Sequence, residues 1–183
     1  MKTLLFRSLL TLIIFSCMDS PDQKYSPIVS LQIHDLIKDS LLNIRALEIE
    51  DNRIRAVSAI GDSYSVDLRT NKVYVNRVNV DTINFRASAI VNNNYFTLSI
   101  GNPAYLFRDT ELVYKETHPN IFYDALHFWN SMEGVAIGDP VDGCMSILIT
   151  RNGGTSWNKV SCEVLPSSIE GEAAFAASDT NIA

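Results

Sequence analysis

The strongest constraint on the fold of this chain is an internal repeat. Three segments resemble one another, each with a short β-branched or aromatic run, a gap, and a second run that leads to a glycine followed by an acidic or amide residue. They comprise residues 44–49 with 53–62, 85–90 with 95–103, and 123–128 with 134–140, and a fourth begins at 171–176. A repeated unit has to be considered first, because it decides the architecture of the whole chain.

One charged residue marks each unit. Arg45, Arg86, Asp124 and Glu172 follow one another at intervals of 41, 38 and 48 residues. Periods of about 40–50 residues with several short strands are typical of propeller blades. The sequence therefore predicts an all-β fold, a β-propeller of four-stranded blades, with a β-sandwich as the alternative. The units lie near 44–83, 84–121, 122–165 and 171–183.

The charged markers and the turns also predict where a binding site lies. In a four-stranded blade the marker enters the innermost strand, and the glycine turns at 61–62, 101–103 and 138–140 follow the second strand. These loops emerge on one face of a propeller, where loops usually carry function. In the alternative interpretation, the markers form ion pairs between blades and the turns are structural. The candidate binding face comprises Arg45, Arg86, Asp124, Asp139 and Glu172.

The third unit contains the most specific motif, Thr-Arg-Asn-Gly-Gly-Thr-Ser-Trp at residues 150–157. It resembles an Asp-box, in which an Asx side chain accepts backbone N–H bonds across a tight turn, glycine supplies a positive φ and tryptophan packs the hairpin onto the blade. The resemblance implies a structural turn between the third and fourth strands, on the face opposite most active sites. Its residues are Thr150, Asn152, Gly154, Ser156 and Trp157.

With its flanks, the stretch 122–175 is similar to a bacterial family of Asp-box (BNR-type) propellers related to the photosystem II assembly factors. The resemblance is carried by Phe128, residues 134–140, the motif at 150–157 and residues 171–176. It implies a seven-bladed or similar propeller, often exported, with a scaffolding or assembly role. Residues 44–115 match only loosely and lack a second Asp-box.

Sialidases share the Asp-box and the propeller, so a sialidase-like glycoside hydrolase is the alternative function. Sialidase chemistry needs three arginines around a carboxylate, a tyrosine nucleophile with a glutamate partner, and an aspartic acid. The usual Phe-Arg-Ile-Pro signature is absent, and residues 85–88 come nearest to it. Relatives are also classed as oxidoreductases, but the sequence has no Gly-x-Gly-x-x-Gly motif. We therefore predict a binding module with no catalytic residue, cofactor or metal.

The N-terminus predicts export and a lipid anchor. Lys2 and Arg7 precede an apolar run that ends at Ser16-Cys17. This pattern is typical of a secretory signal, and the run is too short to span a bilayer. A small residue before a cysteine resembles the lipobox of bacterial lipoproteins. The prediction is a signal peptide at 1–16, an acylated Cys17, an anchored segment at 17–40, a partial propeller at 41–183, and a location in the cell envelope. An ordinary signal peptide is the alternative.

Charge and cysteines limit the partners. Removal of the signal peptide leaves 13 basic against 21 acidic residues, a net charge of −8. An acidic chain repels phosphate backbones, so we predict no nucleic acid partner and membrane attachment through acyl chains alone. The partner is predicted to be a protein or a glycan. In an oxidising compartment the two remaining cysteines, Cys144 and Cys162, are able to pair, but sequence alone does not decide whether they do.

The fourth unit predicts that the ring is incomplete. The sequence stops shortly after 171–176, and three blades and a fraction do not close a propeller. We therefore expect either the N-terminal portion of a longer propeller or closure by association of several copies, because an open array exposes an apolar face and an unpaired edge.

Overall fold

In the computed structural model of the protein, residues 28–78, 80, 83–175 and 182 are described. The chain divides into two units, Met1–His34 and Asp35–Ala183. Within the first unit, residues 28–34 are exposed and form neither helix nor strand. In the described part of the chain, no helix is long and apolar enough to cross a membrane.

The second unit contains three antiparallel sheets of four strands each, and in each sheet the strands are neighbours in chain order. Sheet 1 consists of β1 (Ile44–Glu50), β2 (Arg53–Ser58), β3 (Asp62–Asp67) and β4 (Lys72–Arg77). Sheet 2 consists of β5 (Asn84–Val91), β6 (Asn94–Ile100), β7 (Ala104–Arg108) and β8 (Glu111–Glu116). Sheet 3 consists of β9 (Tyr123–Phe128), β10 (Gly134–Val141), β11 (Cys144–Thr150) and β12 (Asn158–Lys159).

Short polar turns explain why these strands fold into hairpins. The β5–β6 hairpin turns at Asn92-Asn93 with φ of 50° and 62°, and the β10–β11 hairpin turns at Asp142-Gly143 with φ of 56° and 92°. Asn, Asp and Gly tolerate this left-handed region, which type I′ hairpin turns require at both central positions. The runs between the turns are rich in β-branched and aromatic residues, which favour strands.

The sheets stack through their first strands, because β5 lies beside both β1 and β9. One core cluster lies between sheets 1 and 2 and includes Val57, Phe85 and Phe107. A larger one joins sheets 2 and 3 and includes Phe96 and Trp157. Sheet 2 therefore buries both of its faces, and sheets 1 and 3 each bury one face against it. Three of the four predicted units form four-stranded sheets.

After β12 the chain forms a short 3₁₀ turn, Cys162–Val164. Cys144 and Cys162 form a disulfide, with Cα atoms 5.5 Å apart, which decides the pairing that the sequence left open. Residues 165–175 form neither helix nor strand. Most of the predicted fourth unit, residues 176–181 and 183, lies outside the described residues.

Candidate functional site at the inner strands

Three of the predicted site residues occupy the same position in successive sheets. The register of β1 against β2 shifts between Ile44 and Ala46, and that of β5 against β6 shifts between Phe85 and Ala87. In sheet 3, Ile137 pairs with Ala125 and Gly138 with Tyr123. The residues that the pairing passes over are Arg45, Arg86 and Asp124, and we call them the bulge residues.

A β-bulge leaves one residue out of the ladder and re-aims its side chain. All three bulges lie near the start of an inner strand, and these inner strands are neighbours. The structure therefore places Arg45, Arg86 and Asp124 at the same end of adjacent strands. This is the juxtaposition on which the predicted binding face depends.

The two arginines have hydrogen-bonding capacity that the described residues do not use. Both side chains are half-buried. The Nε atoms of Arg45 and Arg86 are buried, and neither has a hydrogen-bond partner in the described part of the chain. Arg86 also stacks on the residue that precedes β9, with its Cζ 5.6 Å from the centre of the Phe122 ring. Buried donors normally have acceptors, so each of these two Nε–H groups has hydrogen-bonding capacity that the described residues leave unused.

Of the two aspartates at this end, Asp124 is more enclosed than the arginines. Asp124 is 1% exposed. Asp139 is half-buried, and its Oδ1 accepts a hydrogen bond of 2.8 Å from the backbone N–H of Ala174. Its own N–H donates to the Phe122 carbonyl oxygen at 2.8 Å. Asp139 therefore fastens the chain that follows sheet 3 to the start of β9.

The prediction of a turn at 138–140 is wrong, because these residues lie inside β10. The actual turn is Asp142-Gly143, and the β10–β11 register shifts between Gly138 and Pro140. Gly138 has a different role: a Cβ there would lie 2.2 Å from the Phe122 carbonyl oxygen. The glycine permits close approach of two backbones. Close approach favours glycine just as a tight turn does.

Glu172 lies apart from the bulge residues in its contacts. It is exposed and sits outside the strands, and its carboxylate accepts a 3.0 Å hydrogen bond from the N–H of Ile169. It therefore closes a local turn in the loop after β12. The described contacts do not place it in an inner strand, where the repeat predicted it.

The motif at 150–157 forms a tightly bonded turn between β11 and β12. Asn152 Oδ1 accepts from the Ser156 N–H at 3.0 Å, and Thr150 Oγ1 accepts from the Gly154 N–H at 3.0 Å. Gly154 has φ of 79°, and Trp157 is 6% exposed. Thr150 pairs with Gly134 at the end of sheet 3 opposite the Asp124 bulge. The turn is therefore structural and remote from the bulge residues.

A partly buried polar network between sheets 2 and 3 was not predicted. The hydroxyl groups of Tyr114 and Tyr123 donate to Glu116 Oε2 at 2.9 and 2.7 Å, and Lys159 Nζ donates to Glu116 Oε1. Burial raises the pKa of Glu116, but these three hydrogen bonds outweigh it and hold that pKa below its ordinary value. Burial, and then the bond to Glu116, raise the pKa of Tyr123.

The pair of Tyr123 and Glu116 has the residue types that a sialidase nucleophile needs, but not the geometry. A tyrosine nucleophile must reach its substrate and lose its proton readily. Tyr123 is fully buried, and its pKa is raised. The pair therefore belongs to the packing of sheets 2 and 3.

In the described residues, no group of three or more His, Cys, Asp or Glu side chains is arranged to hold a metal ion.

The fold is similar to two solved structures. The structure of U3-55K matches with a TM-score of 0.52 and 11% identity, over 67% of this chain and 40% of that one. The crystal structure of RRP9 WD40 repeats matches with a TM-score of 0.52 and 11% identity, over 70% of this chain and 41% of that one. This chain therefore spans about two-fifths of either structure.

No protein-family model matches the sequence, and no curated protein matches it. The structural likeness shows the fold alone. Sheets 1, 2 and 3 are blades of a β-propeller, and the chain has the all-β fold of part of such a ring.

Proposed function

We propose that this protein is an exported, lipid-anchored β-propeller that acts as a binding or scaffolding module without catalysis. It binds a carboxylate-bearing partner, a protein or an acidic glycan, through the bulge residues Arg45 and Arg86. The observation that carries the proposal is the pair of buried Nε atoms without hydrogen-bond partners in the described part of the chain. Propellers are suited to such a role because their loops surround a common mouth.

The chemistry of arginine selects the ligand class. A guanidinium matches a carboxylate with two parallel N–H···O bonds, which are stronger than neutral hydrogen bonds. A carboxylate beside Arg45 or Arg86 would give each Nε–H its missing acceptor. A nucleic acid is disfavoured as the source of the anion, because the chain without its signal peptide carries a net charge of −8 and repels the continuous charge of a phosphate backbone more than it repels a single carboxylate.

Two features support export. The first is the signal-like N-terminus that ends at Cys17, which lies outside the described residues. The second is the disulfide between Cys144 and Cys162, because disulfides persist in oxidising compartments and are rare in the cytosol. A lipid anchor on Cys17 would hold the propeller at the surface of a membrane in the cell envelope.

The binding proposal is tested with the paired variant Arg45→Gln/Arg86→Gln and a hexaglutamate peptide. In the wild-type chain, the arginine Nε–Hε resonances are expected to shift and saturate on titration. The paired variant should keep its circular dichroism spectrum and lose the binding. Arg69→Gln is the matched control, because Arg69 is an exposed arginine outside the bulges, with 72% of its side chain exposed, and it should bind as the wild type does.

If the paired variant and each single variant unfold, the arginines have a structural role instead. Saturable binding by the folded paired variant would refute the site.

The anchor has its own test: Cys17→Ser should abolish labelling by palmitate in a bacterial host and release the chain from the membrane fraction. Labelling that survives this change would contradict lipidation at Cys17.

A further inference from the structure

A polar cleft lies between the outer strands of sheets 1 and 2, away from the bulge residues. Its volume is about 270 Å³. Ligand pockets commonly measure about 300–1,000 Å³, so a cleft of this size suits a small molecule. Besides Arg55, its polar lining includes Ser63, Ser65, Tyr74, Asn76, Asp109 and Thr110.

Strand pairing explains why polar side chains share one wall of the cleft. Arg55 pairs with Ser65, and Ser65 pairs with Tyr74. In the neighbouring row, Ser63 pairs with Asn76. Side chains of directly opposite residues lie on the same face of a sheet, and so do side chains two positions apart along a strand. These five side chains therefore form two adjacent rows on one face of sheet 1.

Arg55 connects this face to sheet 2. Its Cζ lies 5.3 Å from the centre of the Tyr95 ring, and its Nη1 lies 3.6 Å from Asp109 Oδ1. The same carboxylate oxygen accepts a 3.1 Å hydrogen bond from the Tyr95 N–H. The guanidinium and the carboxylate are therefore held side by side before a ligand binds, and such preorganisation lowers the entropic cost of binding.

The wall formed by sheet 1 has polar groups that the protein itself does not use. In the part of the chain that the structure describes, the hydroxyl groups of Ser65 and Tyr74 and the side-chain amide of Asn76 take part in no hydrogen bond. Tyr74 is also 60% exposed. The wall therefore offers both hydrogen-bonding groups and the surface of an aromatic ring.

The charges of the cleft favour a neutral ligand. An anion that approaches Arg55 also meets Asp109, and a cation that approaches Asp109 also meets Arg55, so neither is attracted as it would be by a single charge. A neutral molecule with several hydroxyl groups suits both side chains. Each hydroxyl group is able to donate to the carboxylate or to accept from the guanidinium.

The ring of Tyr74 narrows the class further. An exposed aromatic ring buries the C–H face of a sugar ring, while the hydroxyl groups at the edge of the sugar reach polar side chains nearby. We propose that this cleft binds one unit of a neutral saccharide. The sugar ring packs on Tyr74, and its hydroxyl groups form hydrogen bonds with Arg55, Asp109 and Asn76.

This saccharide site includes neither Arg45 nor Arg86. The Arg45→Gln/Arg86→Gln variant should therefore bind the saccharide as the wild type does, and a hexaglutamate peptide should not compete with it. The two proposals fail or succeed separately.

The probes are the methyl glycosides of glucose, galactose and mannose, each compared with its uronic acid counterpart, in which a carboxylate replaces the terminal CH₂OH group. In NMR titrations of the wild type, at least one neutral glycoside should shift the side-chain resonances of Tyr74 and Asn76. The shifts should saturate with a Kd of about 1 mM, as expected for so small a ligand. The uronic acid counterpart should bind about tenfold more weakly. If no neutral glycoside saturates, or if the acidic counterpart binds more tightly, the proposal is overturned.

Tyr74→Ala should weaken binding of the neutral glycoside about tenfold, because the sugar ring loses its aromatic contact. Its circular dichroism spectrum should not change, since the Tyr74 side chain is exposed. Trp129→Ala is the matched control: Trp129 is 56% exposed and lies outside the cleft, and this variant should bind as the wild type does. Unchanged affinity in the folded Tyr74→Ala variant would refute the site.

Two further variants test the polar contacts. Asn76→Ala should also weaken binding, and it keeps the test valid if Tyr74→Ala does not fold. Asp109→Asn keeps an acceptor for the Tyr95 N–H but leaves the charge of Arg55 without its neighbour, so the preference for the neutral glycoside over its acidic counterpart should narrow or reverse. If neither variant changes affinity or preference, the saccharide does not occupy this cleft.

Discussion

The two interfaces between sheets differ in the size of their apolar cores although the repeat is the same. Sheets 2 and 3 meet through the polar network around Glu116 and through a large apolar core, in which Phe128 lies 4.9 Å from Phe96 and 5.6 Å from Trp157, between ring centres. Sheets 1 and 2 meet through a smaller apolar cluster. That second interface also includes Glu48, whose Oε1 lies 3.5 Å from Ser88 Oγ, and the ion pair of Arg55 with Asp109.

The turns that follow the third strands explain part of this difference. In sheet 1, Asp67 Oδ1 accepts hydrogen bonds from the N–H groups of Arg69 and Thr70, and the turn carries no aromatic residue. In sheet 3, the corresponding turn delivers Trp157 to the interface, and a Cβ on Gly154 would lie 2.3 Å from the Phe96 ring. The motif at 150–157 therefore strengthens one interface, and the repeat folds without a copy of it in sheet 1.

The largest effect is expected from Trp157→Ala, which removes the aromatic contact of the stronger interface. Large-to-small changes of a buried aromatic residue cost about 3–5 kcal/mol. Leu68→Ala, in the turn of sheet 1, is the comparison and should cost less than about 1 kcal/mol, since Leu68 is 38% exposed. Urea unfolding of both variants measures the difference, and equal midpoints would contradict the importance of the sheet 2–sheet 3 interface.

A second difference between the sheets is covalent. The disulfide of Cys144 and Cys162 closes a loop of 18 residues in sheet 3, whereas in sheet 1 Asp62 is held by the Nε and Nη2 atoms of Arg77, at 2.5 and 2.8 Å. Cross-linking a loop of this length stabilises a fold by about 3 kcal/mol.

Cys144→Ser/Cys162→Ser should therefore lose about that amount in unfolding free energy. Addition of dithiothreitol should lower the stability of the wild type to the same level and leave the variant unchanged. If the unfolding midpoint of the wild type does not change when the reductant is added, although its thiols are shown to be reduced, the disulfide does not stabilise sheet 3.

These contrasts also show which features the sequence was able to predict. The repeat predicted the four-stranded sheets, since hydrophobic runs and turns recur with a period that one blade requires. The markers Arg45, Arg86 and Asp124 coincide with bulges at the second or third residue of each inner strand. The fourth marker, Glu172, fell in a loop, because a short similar run does not itself determine strand pairing.

The errors and omissions have physical causes. Glycine serves both turns and close backbone approach, so Gly138 was assigned to the wrong role. The network around Glu116 joins it to Lys159, 43 residues away. That contact depends on how two sheets stack, which no local pattern records. The two tyrosines of the network lie in β8 and β9, which are consecutive in the chain but belong to different sheets.

The smallest effect is expected at the weaker interface, where Glu48 is half-buried beside Ser88. Burial raises the pKa of Glu48, and the hydrogen bond from Ser88 only partly offsets this. The folded state therefore binds the proton more tightly than the unfolded chain does. The contribution of this group to stability is complete below the ordinary carboxyl pKa of about 4.3 and is lost as the pH rises through the raised value.

Glu48→Gln removes the carboxylate and keeps an acceptor for Ser88. The variant should be more stable than the wild type at pH 7, and the difference should shrink as the pH falls below about 4. Glu163→Gln, at an exposed position, controls for the change in net charge and should show neither effect. Urea titrations from pH 3.5 to 7.5 measure the free energy of unfolding of all three chains. If the Glu48→Gln variant is less stable than the wild type at pH 7, the ionised carboxylate strengthens the interface of sheets 1 and 2.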